Sequence, residues 1–199
     1  MIYHDAIVVG GGLAGLRAAI ELNRHNVKVA IISKVHPIRS HSVAAQGGIN
    51  APLGNHPRGV YDTWEKHAFD TVKGSDYLAD QDAVIRMTKD AAERIYEMEH
   101  WGCPFNRNAE GKIAQRPFGG AGFPRTCYAA DKTGHALLHT LYQQTIKFKQ
   151  AAERNEIVIY EEWLVTDLVI EDGVCVGVIA LDIVSGRLEA FQAGAVIFA

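Results

Sequence analysis

Near the N-terminus the chain reads Gly10-Gly11-Gly12-Leu13-Ala14-Gly15, with glycines at the spacing GxGxxG. Between a strand and a helix, this spacing suits a ligand that carries a diphosphate. Gly10 allows the tight turn, and Gly12 lets the backbone approach a pyrophosphate. Gly15 lets the helix pack close against the strand. The first N–H groups of the helix, at Leu13 and Ala14, and its positive dipole end then hold the phosphate charge. A plain glycine-rich strand-to-helix turn would use the same letters, so the flanking elements decide. The acidic residue that usually bonds a ribose about 20 positions further on is missing, because Ile32 is followed by Ser33 and Lys34. Ser33 can still hydrogen-bond a ribose, and Lys34 adds positive charge near the phosphates. The missing carboxylate argues against a generic NAD site.

Other reactive residue types offer less. His135 and His139 stand at i, i+4, a metal-ligand spacing, but the segment lacks the Glu of HExxH and a third ligand. A packing or surface role on a helix is the plainer reading, and no metal site is expected. Cys103, Cys127 and Cys175 are odd in number and form no CxxC. That argues against a disulfide framework or a structural zinc site and fits a reducing compartment.

The glycine motif gains its meaning from what flanks it. Ala6–Val9 is a short apolar run of the kind a buried parallel strand shows. Leu13, Leu16 and Ile20 then mark one stripe of a helix over 13–24. Asn26 ends that helix, and 27–32 reads as a second strand. Residues 33–59 have no sustained period and read as a long functional loop. Helices are expected over 61–72, 81–100 and 133–148, with loop between 106 and 128. The last fifty residues alternate apolar and polar, with turns at Glu171-Asp172-Gly173 and Ser185-Gly186, which predicts an antiparallel meander. The run 195–199 reads as a further buried strand in which the sequence stops, so the chain is expected to be the N-terminal part of something longer.

Composition narrows the functional class. Twenty Lys and Arg against 23 Asp and Glu give a net charge of −3, which offers no electrostatic footprint for nucleic acid. No apolar run reaches the length of a membrane span, and the N-terminus lacks the basic start of a secretory signal. The meander ahead of a closing strand favours a flavin-binding variant of the βαβ fold over a simple NAD domain.

One stretch is far more specific. Residues 33–48, SKVHPIRSHSVAAQGG, closely resemble the flavoprotein subunit of succinate dehydrogenase and fumarate reductase. The resemblance continues through DTVKGSD at 70–76, RPFGG at 116–120, Arg125-Thr126 and AADKTGH at 129–135. It therefore covers essentially the whole chain.

The resemblance implies an α/β, Rossmann-like FAD-binding domain over 1–199, with parallel sheet, flanking helices and a β-meander. The capping and C-terminal helical domains of that family are expected to lie outside residues 1–199. It implies that His41, in the Arg-Ser-His-Ser motif, is bonded through its ring to the 8α-methyl of FAD. Such a link raises the flavin potential enough to oxidise an unactivated CH2–CH2. Ser40, Ser42 and Ala45 share the flavin-binding segment. Gln46, Gly47 and Gly48 would lie by the isoalloxazine and the dicarboxylate, with backbone N–H groups available to their oxygens. Leu164 and Val165 would touch the adenine through backbone atoms, and an ordinary place in a sheet explains them equally well. The implied reaction is hydride transfer between a C4 dicarboxylate, succinate or fumarate, and the flavin. Electrons would pass to an iron–sulfur subunit and, through membrane-anchor subunits, to quinone. That puts the protein at the cytoplasmic face of the membrane. No catalytic acid or base is assigned within 1–199. Two alternatives stay open: an L-aspartate oxidase-like enzyme, which lacks a histidine at the His41 position, or another fumarate-reductase-family flavoenzyme with non-covalent FAD, and a non-catalytic FAD-binding fragment.

Overall fold

The computed structural model describes residues 1–151 and 157–199, and the chain divides into two compact units. The first comprises Met1–Val43 and Leu138–Ala199, and the second Ala44–Leu137.

In the first unit, strand β1 (Ile2–Val9) leads into helix α1 (Leu13–Arg24) and strand β2 (Val29–Ser33). β2 is buried at every position, and Ala6, Ile7 and Val8 of β1 are buried too. Continuous apolar runs are what a strand with neighbours on both sides requires. The two strands pair in parallel from Ala6 with Val29 to Val9 with Ile32. Helix α1 packs on both and buries Leu16, Ala19 and Ile20. Its limits are those the apolar stripe predicts. Just past its end, Asn26 takes φ 62°, a left-handed conformation that asparagine tolerates better than most residues.

Helix α4 (Thr133–Ala151) returns the chain to this unit. Strands β6 (Ile157–Glu161), β7 (Trp163–Glu171), β8 (Val174–Asp182) and β9 (Leu188–Phe198) complete a six-stranded sheet in the order β6-β2-β1-β9-β8-β7. The predicted meander is β7–β8–β9, whose neighbours pair antiparallel. β6 departs from the prediction by pairing in parallel with β2. Alternation marks a strand but carries no direction, and the reversal occurs at Glu162, held at φ 60°. β6 and β7 occupy opposite ends of the strand order with one residue between them. The sheet therefore folds over, and β7 comes against β2. Ile7 and Ile32 from the parallel layer meet Val178 and Phe191 from the meander in one core cluster. Tyr160 and Trp163 stand edge-on to Phe191 at 4.9 and 5.4 Å between ring centres, an arrangement that suits the aromatic quadrupole.

The second unit holds helices α2 (Trp64–Gly74) and α3 (Gln81–His100) and a small antiparallel sheet. That sheet is β3 (Ile49–Asn50), β5 (Thr126–Cys127) and β4 (Gln115–Arg116) in spatial order. α3 has the predicted limits, with Asp80 Oδ1 accepting the N–H groups of Asp82 and Ala83. α2 starts later than predicted, because Thr63 Oγ1 accepts from Lys66 N and so caps the helix at Trp64. The three short strands lie in segments read as loop, since two residues cannot express a period.

Arg125 organises this unit. Its side chain is 1% exposed. Nε and Nη2 donate to both oxygens of Asp62 at 2.8 and 2.7 Å, and Nη1 donates to Asp70 Oδ2 at 2.7 Å. Asp70 Oδ2 also accepts the N–H of Gly122 at 2.8 Å. The fork therefore ties the loop before α2, α2 itself and the segment 122–125 together. Removing one partner of a buried pair leaves the other charge uncompensated. Arg125→Met is therefore expected to destabilise this unit by about 3–5 kcal/mol, read as earlier denaturant unfolding and faster proteolysis within 44–137.

His67 is buried beside this cluster, and burial first, then the charge of Arg125, push its pKa below the ordinary 6.5. Below pH 6.5 the unfolded chain takes up the proton before the folded one does. Stability of the second unit is thus present at neutral pH and falls as pH drops from about 6.5 toward the lower folded value. Comparing urea midpoints of the parent and His67→Gln between pH 5 and 8 tests this. The parent should lose stability on acidification, and the variant should show a flatter profile.

Candidate functional site

The turn between β1 and α1 is governed by close backbone approaches. Gly10 takes φ +114°, and its N–H donates to Ile32 O at 2.9 Å. A Cβ on Gly10 would lie 2.0 Å from Ala199 O, and one on Gly15 would lie 2.0 Å from Gly10 O. Packing alone forces glycine at both places. Gly12 is different. A Cβ there would meet only Ser42 Oγ at 3.4 Å and Ser40 Oγ at 3.7 Å, which the fold can accommodate. The space over Gly12 lies at the start of α1, where Gly12 has no side chain to cap the helix and no acid sits in the first turn.

Two hydroxyls line that space. Ser42 Oγ lies 3.5 Å from Leu13 N, a long and weak hydrogen bond. Ser40 Oγ is a buried atom without a partner among the described residues. Ala14 is exposed. The arrangement offers N–H groups, two hydroxyls and a positive dipole end with nothing negative among them, a receptor for an anion. Ser33 lies just below, where a Cβ on Gly11 would come 2.8 Å from its Oγ. Its hydroxyl donates to Val35 O at 2.6 Å, and Lys34 is exposed.

His41 stands between these serines and opens a short 3-10 turn, His41–Ala44. It is exposed, and among the described residues its ring has no hydrogen-bond partner. In β7, Leu164 is exposed while Val165 packs on the core cluster.

In the second unit, the segment 45–48 is held by its carbonyls. Ala45 O accepts from Gly134 N at 2.7 Å, and Arg116 Nη2 donates to the carbonyls of Gln46 and Gly47 at 3.2 and 2.6 Å. Among the described residues, the N–H groups of Gln46 and Gly47 donate to nothing. Gly48 takes φ +123°, and a Cβ there would lie 2.4 Å from Thr126 Cγ2. A Cβ on Gly47 would lie 2.7 Å from Phe118 Cζ. Arg116 and Phe118 were visible in the sequence only as letters of the RPFGG motif, and their roles as clamp and neighbour of Gln46-Gly47-Gly48 appear in three dimensions. Arg116 also stacks its guanidinium 4.3 Å from the centre of the Tyr128 ring.

Among the described residues no group of three His, Cys, Asp or Glu could hold a metal. Cys127 is buried, and that burial pushes its thiol up to about 12, which leaves it protonated and inert at neutral pH.

Residues 5–199 match the model of the FAD binding domain family. The chain belongs to that family. It is 48% identical to the succinate dehydrogenase flavoprotein subunit of Rickettsia conorii over its whole length, which is 33% of that protein. It is 46% identical to a fumarate reductase flavoprotein subunit of Mycobacterium tuberculosis, over 98% of this chain and 32% of that protein. Among solved structures, Mycobacterium smegmatis Sdh1 in complex with UQ1 superposes with a TM-score of 0.95 at 32% identity, covering 99% of this chain and 33% of that one. A variant of E. coli quinol fumarate reductase FrdA superposes with a TM-score of 0.89 at 40% identity, covering all of this chain and 32% of that one. The chain thus spans about a third of the length of these relatives. No helix among the described residues is long and apolar enough to cross a membrane.

A FAD binding domain needs a diphosphate receptor, and the space over Gly12 with the orphaned Ser40 hydroxyl fits that group. The glycines can be told apart by experiment. Gly12→Ala should leave the thermal midpoint nearly unchanged and weaken FAD binding about tenfold or more, the loss of roughly one charge-assisted hydrogen bond. Gly15→Ala should cost stability itself, about 1–3 kcal/mol or more. Paired melting curves and flavin titrations distinguish the two.

Proposed function

We propose that this FAD-binding domain is the flavin-holding part of a succinate dehydrogenase or fumarate reductase flavoprotein subunit, with FAD attached covalently at His41. The observation that carries the reading is His41 itself, exposed and unbonded between Ser40 and Ser42 at the uncapped end of α1. Similarity of 46–48% across nearly the whole chain to flavoprotein subunits of both names supports the same assignment.

The residues divide the work. The N–H groups of Leu13 and Ala14, the open face of Gly12 and the hydroxyls of Ser40 and Ser42 take the diphosphate, whose charge the helix end stabilises. Gly10 and Gly15 fix the turn that presents those groups. Ser33 and Lys34 lie toward the ribose and phosphates, and Leu164 and Val165 offer backbone atoms to the adenine. Ala45, Gln46, Gly47 and Gly48 line the flavin and dicarboxylate, with the free N–H groups of Gln46 and Gly47 as donors to a developing negative charge. When bound, FAD supplies a two-electron acceptor and donor for interconverting succinate and fumarate. No proton-transferring residue is assigned within 1–199. Electrons would be exchanged with an iron–sulfur subunit and a quinone, and the subunit would sit at the cytoplasmic membrane face through membrane-anchor partners.

An L-aspartate oxidase-like enzyme remains the second reading, and His41 disfavours it. Acid precipitation decides. A pellet that stays yellow and fluorescent is the expected result, and flavin released entirely to the supernatant would sink the covalent reading. His41→Ser should keep FAD bound but unlinked and impair succinate oxidation more than fumarate reduction in the full-length subunit. Parental succinate oxidation in that variant would refute the tuning of the flavin by the link.

A further inference from the structure

We infer that His36 is a positioning residue for the His41 linkage, a reading that rests on the covalent attachment proposed above. His36 links the segment that carries His41 to Tyr142 of α4 and Glu161 of β6. Its Nδ1 accepts the N–H of Ile38 at 3.3 Å and caps the 3-10 turn Pro37–Arg39. An Nδ1 that accepts is unprotonated, so in the neutral ring Nε2 carries the hydrogen. Nε2 faces Tyr142 Oη of α4 at 3.3 Å and Glu161 Oε1 of β6 at 3.5 Å. The two rings also pack, with centres 5.1 Å apart. Burial and the neighbouring charge of Glu161 both raise the pKa of Tyr142, so its phenol stays neutral beside the imidazole.

From His36 the order passes along the chain by local hydrogen bonds. Arg39 N donates to His36 O at 2.8 Å, Ser40 N to Pro37 O at 3.0 Å, and Val43 N to Ser40 O at 3.0 Å. Pro37 is buried under Gly11, where a Cβ would come 3.2 Å from Pro37 Cγ. The ring of His41 makes no hydrogen bond among the described residues, so its position is set by this train of turns and by the 3-10 turn His41–Ala44 that it opens. The linkage breaks a C–H of the 8α-methyl and the N–H of His41 and makes the C–N bond. The two electrons and two protons released remain on the flavin in its reduced form. Such a step depends on the approach of the ring nitrogen to one carbon, and small misplacements are costly in rate.

The test uses the full-length subunit and FAD. His36→Phe keeps a ring against Tyr142 and removes both polar atoms. His36→Asn keeps an acceptor for Ile38 N. Total flavin in the native protein, acid-stable flavin after precipitation, and the rate of linkage on adding FAD to apoprotein are measured for each. The expected result is a linkage rate about tenfold or more lower in His36→Phe, with total bound FAD and the thermal midpoint near parental values, and substantial rescue in His36→Asn. Parental linkage in His36→Phe overturns the inference and leaves the covalent reading intact. Equal loss of FAD binding and stability in both variants also overturns it, since the histidine would then merely hold the fold. A parent without acid-stable flavin overturns the covalent reading, and the inference with it.

Discussion

The first unit is built around one constraint: the N-terminus of α1 must be left chemically unfinished. A helix start carries several N–H groups without partners, and most helices silence them with a Ser, Thr, Asp or Asn cap. Here the capping position is Gly12 and the first turn holds no acid. The turn that brings α1 so close to β1 is itself demanding, since Gly15 and the Gly10 carbonyl leave no room for a Cβ. Close packing on β1 and exposure of the helix end to a ligand are two requirements met by different glycines in one motif. The serines that approach Gly12 arrive from the loop after β2, so the parallel pairing of β1 with β2 sets where the receptor closes.

The second unit solves a different problem. It has little regular sheet, and its long connections would be costly to order by backbone pairing alone. The buried fork of Arg125 on Asp62 and Asp70 supplies three charge-assisted bonds and ties together segments some sixty residues apart in sequence. A second arginine, Arg116, does the same on a smaller scale by gathering the carbonyls of Gln46 and Gly47. Holding a segment by its carbonyls leaves its N–H groups available, the polarity that the electron-rich ligand proposed for this segment would need.

Much of this was legible in the residues. The apolar stripe of α1 and the alternation in β7–β8–β9 gave their elements directly, because burial of one face imposes a period. The parallel placement of β6 was hidden, since period two has no direction and the fold-over at Glu162 depends on the tertiary core around Phe191. The strands β3, β4 and β5 were hidden because two residues carry no pattern. In the site, the glycine spacing suits a diphosphate ligand, and the helix start without a side-chain cap at Gly12 is the feature the structure adds to that expectation. The division between Gly10 and Gly15, required by packing, and Gly12, free of it, needed coordinates. The motifs DTVKGSD and RPFGG stood out as strings, whereas the reason for their Asp70 and Arg116 is a hydrogen-bond geometry that no spacing rule encodes.

The contrast of His41 with His36 and His67 bears on the attachment proposed at His41. His67 is buried, and His36 is fastened at both ring nitrogens. His41 lies five residues beyond His36 with its ring exposed and free of hydrogen bonds among the described residues. A nucleophilic nitrogen engaged in a strong hydrogen bond would have to break it before reacting, whereas one held only through its backbone can meet an electrophilic carbon without that cost. Order is therefore supplied by the residues before and after His41 while its own ring stays uncommitted, an arrangement that suits the attachment proposed there.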